Sequence, residues 1–296
     1  DDLMLRHYIA FYTQLYHDLT GKAPMVSVRM NTSAASPRFI PRGNLIREWY
    51  DQAVRHGAGA FYFWTRDYPY SDAPGVYDGP IPGNEEPSSF AEERWQAVLE
   101  TLGRLCRSQR FLPPEAEVGI LVPEDSALLH RSEWRRLYST FSACCEAAVH
   151  TCFISDRTVA SQGVPQQVKL VLAPVLEFLS PALRSNLERF TTGGGRLILA
   201  SSEVWDELGN PAEPIDGAES LETGCFEVFP LGQTGDIAAL QRLTQSLAEM
   251  VRRSKADPQS WVFDVGVNSL PGSGISQLRQ PDAELRFDPW LYEHGS

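Results

Sequence analysis

The sequence has 296 residues, of which 43% are hydrophobic and 22% are charged, and its formal net charge at neutral pH is −12. This length and composition predict a globular protein with two domains. The acidic charge, without a dense run of Lys and Arg, argues against a nucleic-acid partner. No stretch approaches the roughly 18 apolar residues that a membrane-spanning helix needs.

The cysteines favour a reducing compartment. Their number is odd and no two have CxxC spacing, which argues against a disulfide framework and against a zinc site. The chain opens Asp1-Asp2, without the basic segment of a signal peptide. We therefore expect buried free thiols, a cytoplasmic protein, and no metal or other cofactor. The cysteines are Cys106, Cys144, Cys145, Cys152 and Cys225.

The first third of the chain alternates helices and short strands. Apolar residues at three-to-four spacing predict an opening helix, and Gly21 ends it as a C-terminal glycine does. Two parallel strands do not form a stable sheet alone, so the two predicted here need others, from this chain or from the rest of their domain. The predicted helices lie over 3–19, 45–56 and 89–107, and the predicted strands over 25–30 and 60–64.

A stiff segment, Phe111-Leu112-Pro113-Pro114-Glu115, predicts a domain boundary. Behind it, apolar runs alternate with helical segments as in a doubly wound, flavodoxin-like sheet, so the fold class is α/β. We divide the chain into 1–112, 113–215 and 216–296, where the last range holds the remainder of the second domain and a tail. The predicted strands lie over 118–122, 151–154, 169–173, 196–200 and 261–265, and the helices over 132–149, 181–190 and 237–253.

Two motifs have simple structural explanations. Gly193-Gly194-Gly195 follows a predicted helix and precedes a strand, whereas a phosphate-binding loop precedes a helix and carries Lys-Ser or Lys-Thr. We expect a tight turn. Cys144 and Cys145, with His150 nearby, combine thiols and a base, but they lie inside a predicted helix without the glycines of a nucleophile elbow. We expect core thiols there.

The ends of the first two strands form the candidate binding site. Trp64 ends one strand, with Arg66 and Asp67 just behind it, and Arg29 and Asn31 end the strand before. Enzymes of the α/β class bind ligands at the carboxyl ends of parallel strands, and a flat apolar ring beside polar groups suits a sugar. The sequence is equally compatible with a core Trp64 and an Arg66–Asp67 pair at the sheet edge.

Catalytic carboxylates are missing from these strand ends. Retaining glycoside hydrolysis uses two carboxyl groups about 5 Å apart. The two strands contain no Glu, Glu48 falls in a predicted helix, and Glu85 and Glu86 fall in a predicted loop. We therefore assign no catalytic residue.

The stretch Gln52-Ala53-Val54-Arg55-His56-Gly57-Ala58, followed by an aromatic strand ending in Trp64, resembles the end of the (β/α)8 barrel of the family 42 β-galactosidases. In that family a similar helix leads to strand eight, which carries a substrate-contacting Trp. Tyr77-Asp78-Gly79 and the segment from Trp95 to Leu105 resemble the loop and closing helix that follow. The resemblance implies a partial barrel and a galactoside-like carbohydrate ligand.

The second domain is similar to the family's middle domain, an amidotransferase-like fold without the amidotransferase triad. The similarity lies in Leu170 to Pro174, Leu179-Ser180 and Phe190 to Leu197. It implies a homo-oligomer, with a cyclic trimer favoured. The chain departs from the family where strand seven would carry the nucleophile, because the matching stretch reads Val28-Arg29-Met30-Asn31. A complete barrel also needs about 200 residues or more, and only 112 precede the predicted boundary.

The leading hypothesis is the C-terminal part of a glycoside hydrolase that acts on terminal β-galactosides when full-length and is inactive as this chain. A rival is a non-catalytic sugar-binding or oligomer-assembly protein. A third is an independent α/β enzyme that acts at the switch point of the second domain.

Overall fold

The computed structural model describes residues 7–29, 43–64, 96–101, 115–124, 131–201, 204–206, 208–226, 228 and 237–257. It divides into two compact units. Unit one comprises Asp1–Gly21 and Pro114–Ser276, and unit two comprises Lys22–Pro113 and Gln277–Ser296.

The elements alternate along the chain, as the sequence predicted. The named helices are α1 (Tyr8–Thr20), α2 (Gly43–Arg55), α3 (Arg131–Glu146), α4 (Asp156–Gln162), α5 (Pro181–Thr192) and α6 (Ile237–Ser254). The strands are β1 (Met25–Arg29), β2 (Ala60–Trp64), β3 (Val118–Val122), β4 (Thr151–Ser155), β5 (Leu170–Ala173), β6 (Arg196–Ser201) and β7 (Glu219–Glu222). Residues 96–101 are also helical. The predicted strand over 261–265 lies outside the described residues.

Unit one contains a five-stranded sheet in the order β4-β3-β5-β6-β7. Every neighbouring pair of strands is parallel. The chain runs from β3 outward to β4 and then returns to the other side of β3 as β5, so the switch point lies between β3 and β5. This order confirms the predicted doubly wound, flavodoxin-like α/β fold.

The two faces of this sheet belong to different cores. Ile120 of β3 lies in a core with Phe141 of α3 and Leu247 of α6. Leu121, the next residue, lies in the opposite core with Leu187 of α5. Side chains alternate between faces along a strand, so a strand buried on both faces must be apolar throughout, which made it recognisable in the sequence.

The glycines behind α5 form the predicted tight turn. Gly194 has a φ of +94°, a conformation that residues with a Cβ rarely adopt. A Cβ on Gly195 would lie 2.3 Å from the Phe190 ring, so a side chain there would force the ring to move. The start of α5 is also as predicted, with Pro181 in the first turn and the Ser180 hydroxyl accepting the Leu183 N–H at 3.2 Å.

Three short elements were not predicted from the sequence: α4, β7 and a 3-10 helix over Thr223–Phe226. Helix α4 has seven residues and begins where the Ser155 hydroxyl accepts the N–H groups of Arg157 and Thr158. Strand β7 reads Glu-Ser-Leu-Glu and is mostly exposed, so it lacks the apolar signal of the inner strands. The guanidinium group of Arg196 binds this strand in a bidentate manner, because its Nε and Nη2 donate to the two Glu219 carboxylate oxygens at 2.8 and 2.7 Å.

Helix α1 differs from the sequence-based domain division, which placed it with the barrel portion in 1–112. The structure groups α1 with unit one, where it packs against β4 and α3. The Phe11 ring lies 5.4 Å from the Phe153 ring and 5.6 Å from the Phe141 ring, centroid to centroid. Periodicity located the apolar face of α1 but does not say which sheet that face covers. The other boundaries stay predictions.

Unit two contains the parallel pair β1 and β2, in register from Met25–Ala60 to Arg29–Trp64. Helix α2 supplies buried Ile46 and Tyr50, and Arg47 Nε donates to Glu100 Oε2 at 2.7 Å to join α2 to the segment 96–101. In the described part of unit two the sheet has two strands. Such a sheet is marginal alone, which agrees with the predicted need for further strands.

Candidate functional site

The register of β1 and β2 is set at their amino ends. The Gly59 N–H donates to the Pro24 carbonyl at 2.9 Å and so ties together the two loops that enter the strands. A Cβ on residue 59 would lie only 2.9 Å from the Ala23 Cβ. The two loops can approach this closely because Gly59 has no Cβ. This fixed start aligns the two carboxyl ends.

The aligned ends bring Arg29 and Trp64 to partner positions, as the last residues of β1 and β2. Neighbouring parallel strands lie about 4.8 Å apart, so these two backbone positions are adjacent at one edge of the sheet. Asn31, Arg66 and Asp67 lie outside the described residues. The roles of all five as sugar-binding residues therefore stay predictions.

The described carboxylates of unit two lie on helices. Glu48 Oε1 accepts the Gln52 side-chain N–H at 3.2 Å within α2, and Glu100 is paired with Arg47. Asp51 also lies within α2. Neither β1 nor β2 contains a carboxylate, so these two strands do not supply the pair that retaining hydrolysis requires.

The switch point of unit one is the second place where an α/β fold of this kind can hold a ligand. Glu124, just behind β3, has a carboxylate that accepts the Ser155 hydroxyl, and its N–H donates to Asp156 Oδ1 at 3.2 Å. Arg157 Nη1 lies 3.7 Å from Glu124 Oε2. These contacts secure the start of α4. Behind β5, Val175 and Leu176 are buried.

Cys144 and Cys152 of unit one lack the properties of nucleophiles. Cys144 is fully buried in the core, and burial raises the pKa of its thiol to about 12. Burial, followed by the nearby Asp18 carboxylate, raises the pKa of Cys152 to about 12 as well. Both thiols therefore stay protonated near neutral pH, as expected of core cysteines. Cys225 departs from the expected burial because it is exposed, and Cys106 lies outside the described residues.

Metal sites and membrane spans are absent from the described residues. Among them, no three His, Cys, Asp or Glu side chains are grouped in a way that could hold a metal ion. No helix in the same part of the chain is both long and apolar enough to cross a membrane.

Comparison with solved structures connects this arrangement to known enzymes, although no family profile and no curated protein matches the sequence. The β-galactosidase of Rahnella sp. R3 matches 72% of this chain with a TM-score of 0.54 and 18% identity. The β-galactosidase of Bacillus circulans sp. alkalophilus matches 71% with a TM-score of 0.52 and 19% identity. This chain shares the fold of part of a family 42 β-galactosidase. An exo-carrageenase of the same family, from Bacteroides ovatus, matches 84% of the chain with a TM-score of 0.55 and 12% identity.

The likeness concerns the fold, since the identities are below 20%. The chain covers 32% of each of the two β-galactosidases and 33% of the exo-carrageenase, about a third of their length. The predicted architecture of a partial barrel followed by a flavodoxin-like domain agrees with these matches.

Proposed function

We propose that this chain is the C-terminal part of a glycoside hydrolase resembling a β-galactosidase, and that the full-length enzyme hydrolyses terminal β-galactosides. The observation that carries the proposal is the pairing of Arg29 with Trp64 at the ends of two parallel strands, in a fold shared with β-galactosidases. Strand ends of this kind line the active site of (β/α)8 enzymes.

The residues at this edge have the chemistry of a sugar-binding subsite. In the proposal, Trp64 offers its ring to the apolar face of a galactosyl residue, and Arg66 and Asp67 hydrogen-bond to its hydroxyl groups. Arg29 and Asn31 hydrogen-bond to the sugar hydroxyl groups nearest β1. In the proposal, the acid/base and nucleophile carboxylates belong to parts of the full-length enzyme outside this chain, so the chain alone binds without hydrolysing.

Substitution of Trp64 tests the proposed subsite. Trp64→Ala is expected to weaken galactoside binding by about 1–3 kcal/mol, the range for an aromatic anchor in a binding site. Titration of the purified chain with methyl β-galactoside, followed by NMR, measures the effect. Phe178→Ala is the matched control, because Phe178 is an aromatic residue of unit one and is 47% exposed. Equal binding by wild type and Trp64→Ala would remove the subsite.

The alternative is a non-catalytic sugar-binding or oligomer-assembly protein. Its support is unit one, which has two hydrophobic cores, while the thiols of Cys144 and Cys152 stay protonated and the Glu124 carboxylate accepts the Ser155 hydroxyl. The finer form of this alternative is a cyclic trimer, closed by heterologous contacts between copies. A cytoplasmic location is also part of the proposal, in agreement with the absence of disulfides at Cys144, Cys145, Cys152 and Cys225.

A further inference from the structure

The solvent side of α1 is unusual in composition. The exposed residues of this helix follow one another at intervals of four positions, and they are Tyr8, Tyr12, Tyr16 and Thr20. The three tyrosines, here called the tyrosine ridge, are 45%, 45% and 50% exposed. The outer face of a surface helix is normally charged. This one carries no charge, in a chain whose net charge is −12.

The underside of α1 is fixed to the edge of the five-stranded sheet. The Gln14 amide donates to the Thr151 carbonyl, and Asp18 Oδ2 accepts the Phe153 N–H at 2.9 Å. Among the described strands, β4 is the last on that side, so these side chains replace the backbone partners that a further strand would provide. With Phe11 in the core beneath, the ridge is presented on a rigid support.

The ridge combines flat apolar faces with neutral hydroxyl groups. The Tyr8 and Tyr12 rings meet edge to face with centroids 4.7 Å apart. Burial, followed by the adjacent Tyr8, raises the pKa of Tyr12 to about 12, so this hydroxyl stays a neutral donor. Aromatic rings that carry neutral hydroxyl groups suit a polyhydroxylated, uncharged ligand.

The size of the ridge favours a small ligand over a protein partner. From Tyr8 to Tyr16 the helix rises about 12 Å. Three half-exposed tyrosines offer roughly 100 Å² each, about 300 Å² together. A stable protein interface buries about 800 Å² on each partner. The ridge alone falls well short of that area, whereas it matches the contact surface of a short oligosaccharide.

We propose that the tyrosine ridge is a second carbohydrate-binding site, which holds a short neutral oligosaccharide on unit one. It uses none of the residues assigned to the strand-end subsite of unit two. The proposal rests on the proposed function only for the choice of a β-galactosyl ligand.

Binding of β-linked galactotriose to the full chain, measured by NMR titration, tests the ridge. We expect Tyr16→Ala to weaken binding at unit one about tenfold, as loss of one aromatic anchor does. Tyr16→Phe keeps the ring and is expected to retain most of the affinity. Ile237→Ala, at a 56% exposed position of α6, is the matched control and is expected to change nothing. The Trp64→Ala variant separates the sites, because binding at the ridge persists in it.

Three results would overturn the proposal. One is unchanged galactotriose binding at unit one in a folded Tyr16→Ala variant. Another is the absence of binding at unit one by galactotriose, cellotriose and maltotriose at millimolar concentration. The third is a change in the mass of the particle on Tyr16→Ala, measured by light scattering, because it would assign the ridge to a protein partner. None of these results depends on whether the Trp64 subsite exists.

Discussion

Glu117 shows how one side chain joins distant parts of unit one. Its Oε1 accepts the Lys169 ammonium at 2.8 Å, and its Oε2 accepts the Asp257 N–H at 2.6 Å. The hydrogen bond from Lys169, followed by the one from Asp257, lowers the pKa of the Glu117 carboxyl. Glu117, just before β3, is thereby connected to Lys169, just before β5, and to Asp257, which follows α6.

The lowered pKa of Glu117 predicts a pH dependence with a definite sign. A carboxyl whose pKa is lower in the folded state stabilises the fold above its unfolded pKa, and this contribution is lost as the pH falls through the folded value. Glu117→Gln is therefore expected to reduce the free energy of unfolding at pH 7 and to make little difference at pH 3. Urea denaturation at both pH values measures this, with Glu213→Gln as the control. A deficit that is equal at both pH values would contradict the assignment.

At the scale of single residues, the sequence predicted burial better than it predicted partners. Cys144 and Cys145 were recognised as core thiols because helical periodicity and the missing elbow glycines are local signals. The contacts of Asp18 with β4 were not predicted, since Asp18 and Phe153 are far apart in the chain and no local pattern connects them. The roles of Arg29 and Trp64 depend on side chains around the strand ends, so the sequence supplies a hypothesis for them and no more.

At the scale of elements, α1 covers the exposed edge of β4 and anchors through Phe11. Phe11 is 1% exposed, and its ring meets those of Tyr12, Trp134, Tyr138, Phe141 and Phe153. Phe11→Ala is expected to destabilise unit one by about 3–5 kcal/mol, the usual cost of deleting a buried ring. Hydrogen exchange is expected to quicken at the β4 amides that α1 covers, Phe153 above all.

Ile237→Ala is the control for this experiment. Ile237 is 56% exposed, so its substitution is expected to change the free energy of unfolding by no more than about 0.5 kcal/mol. Unchanged protection of Phe153 in Phe11→Ala would show that α1 does not cover the edge in solution.

The elements that the sequence predicted well are those whose burial leaves a local pattern. The three inner strands of unit one, β3, β5 and β6, are predominantly apolar runs, and α6 has a regular apolar stripe of Leu240, Leu243, Leu247 and Val251. Strand β7 and helix α4 left no such pattern, because one is exposed and the other is too short. The place of α1 could not be predicted, since the choice between two sheets depends on tertiary contacts.

At the scale of the whole molecule, the proposed assembly predicts a trimer in solution. Light scattering of the intact chain at tens of micromolar is expected to give three times the monomer mass. A fragment of residues 113–296 is unsuitable for this measurement, because it lacks α1 and exposes the β4 edge to non-native pairing. A well-folded monomer of the intact chain would remove the assembly role.

Hydrolysis of an aryl β-galactoside by the purified chain bears most directly on the proposed function. The strands β1 and β2 supply no carboxylate, and the chain covers about a third of the β-galactosidases that share its fold. We therefore predict no measurable release of the phenol by this chain alone, at a protein concentration where Trp64-dependent binding of the sugar is observed. Turnover that survives purification and disappears on substitution of a residue within 1–110 would contradict the proposal.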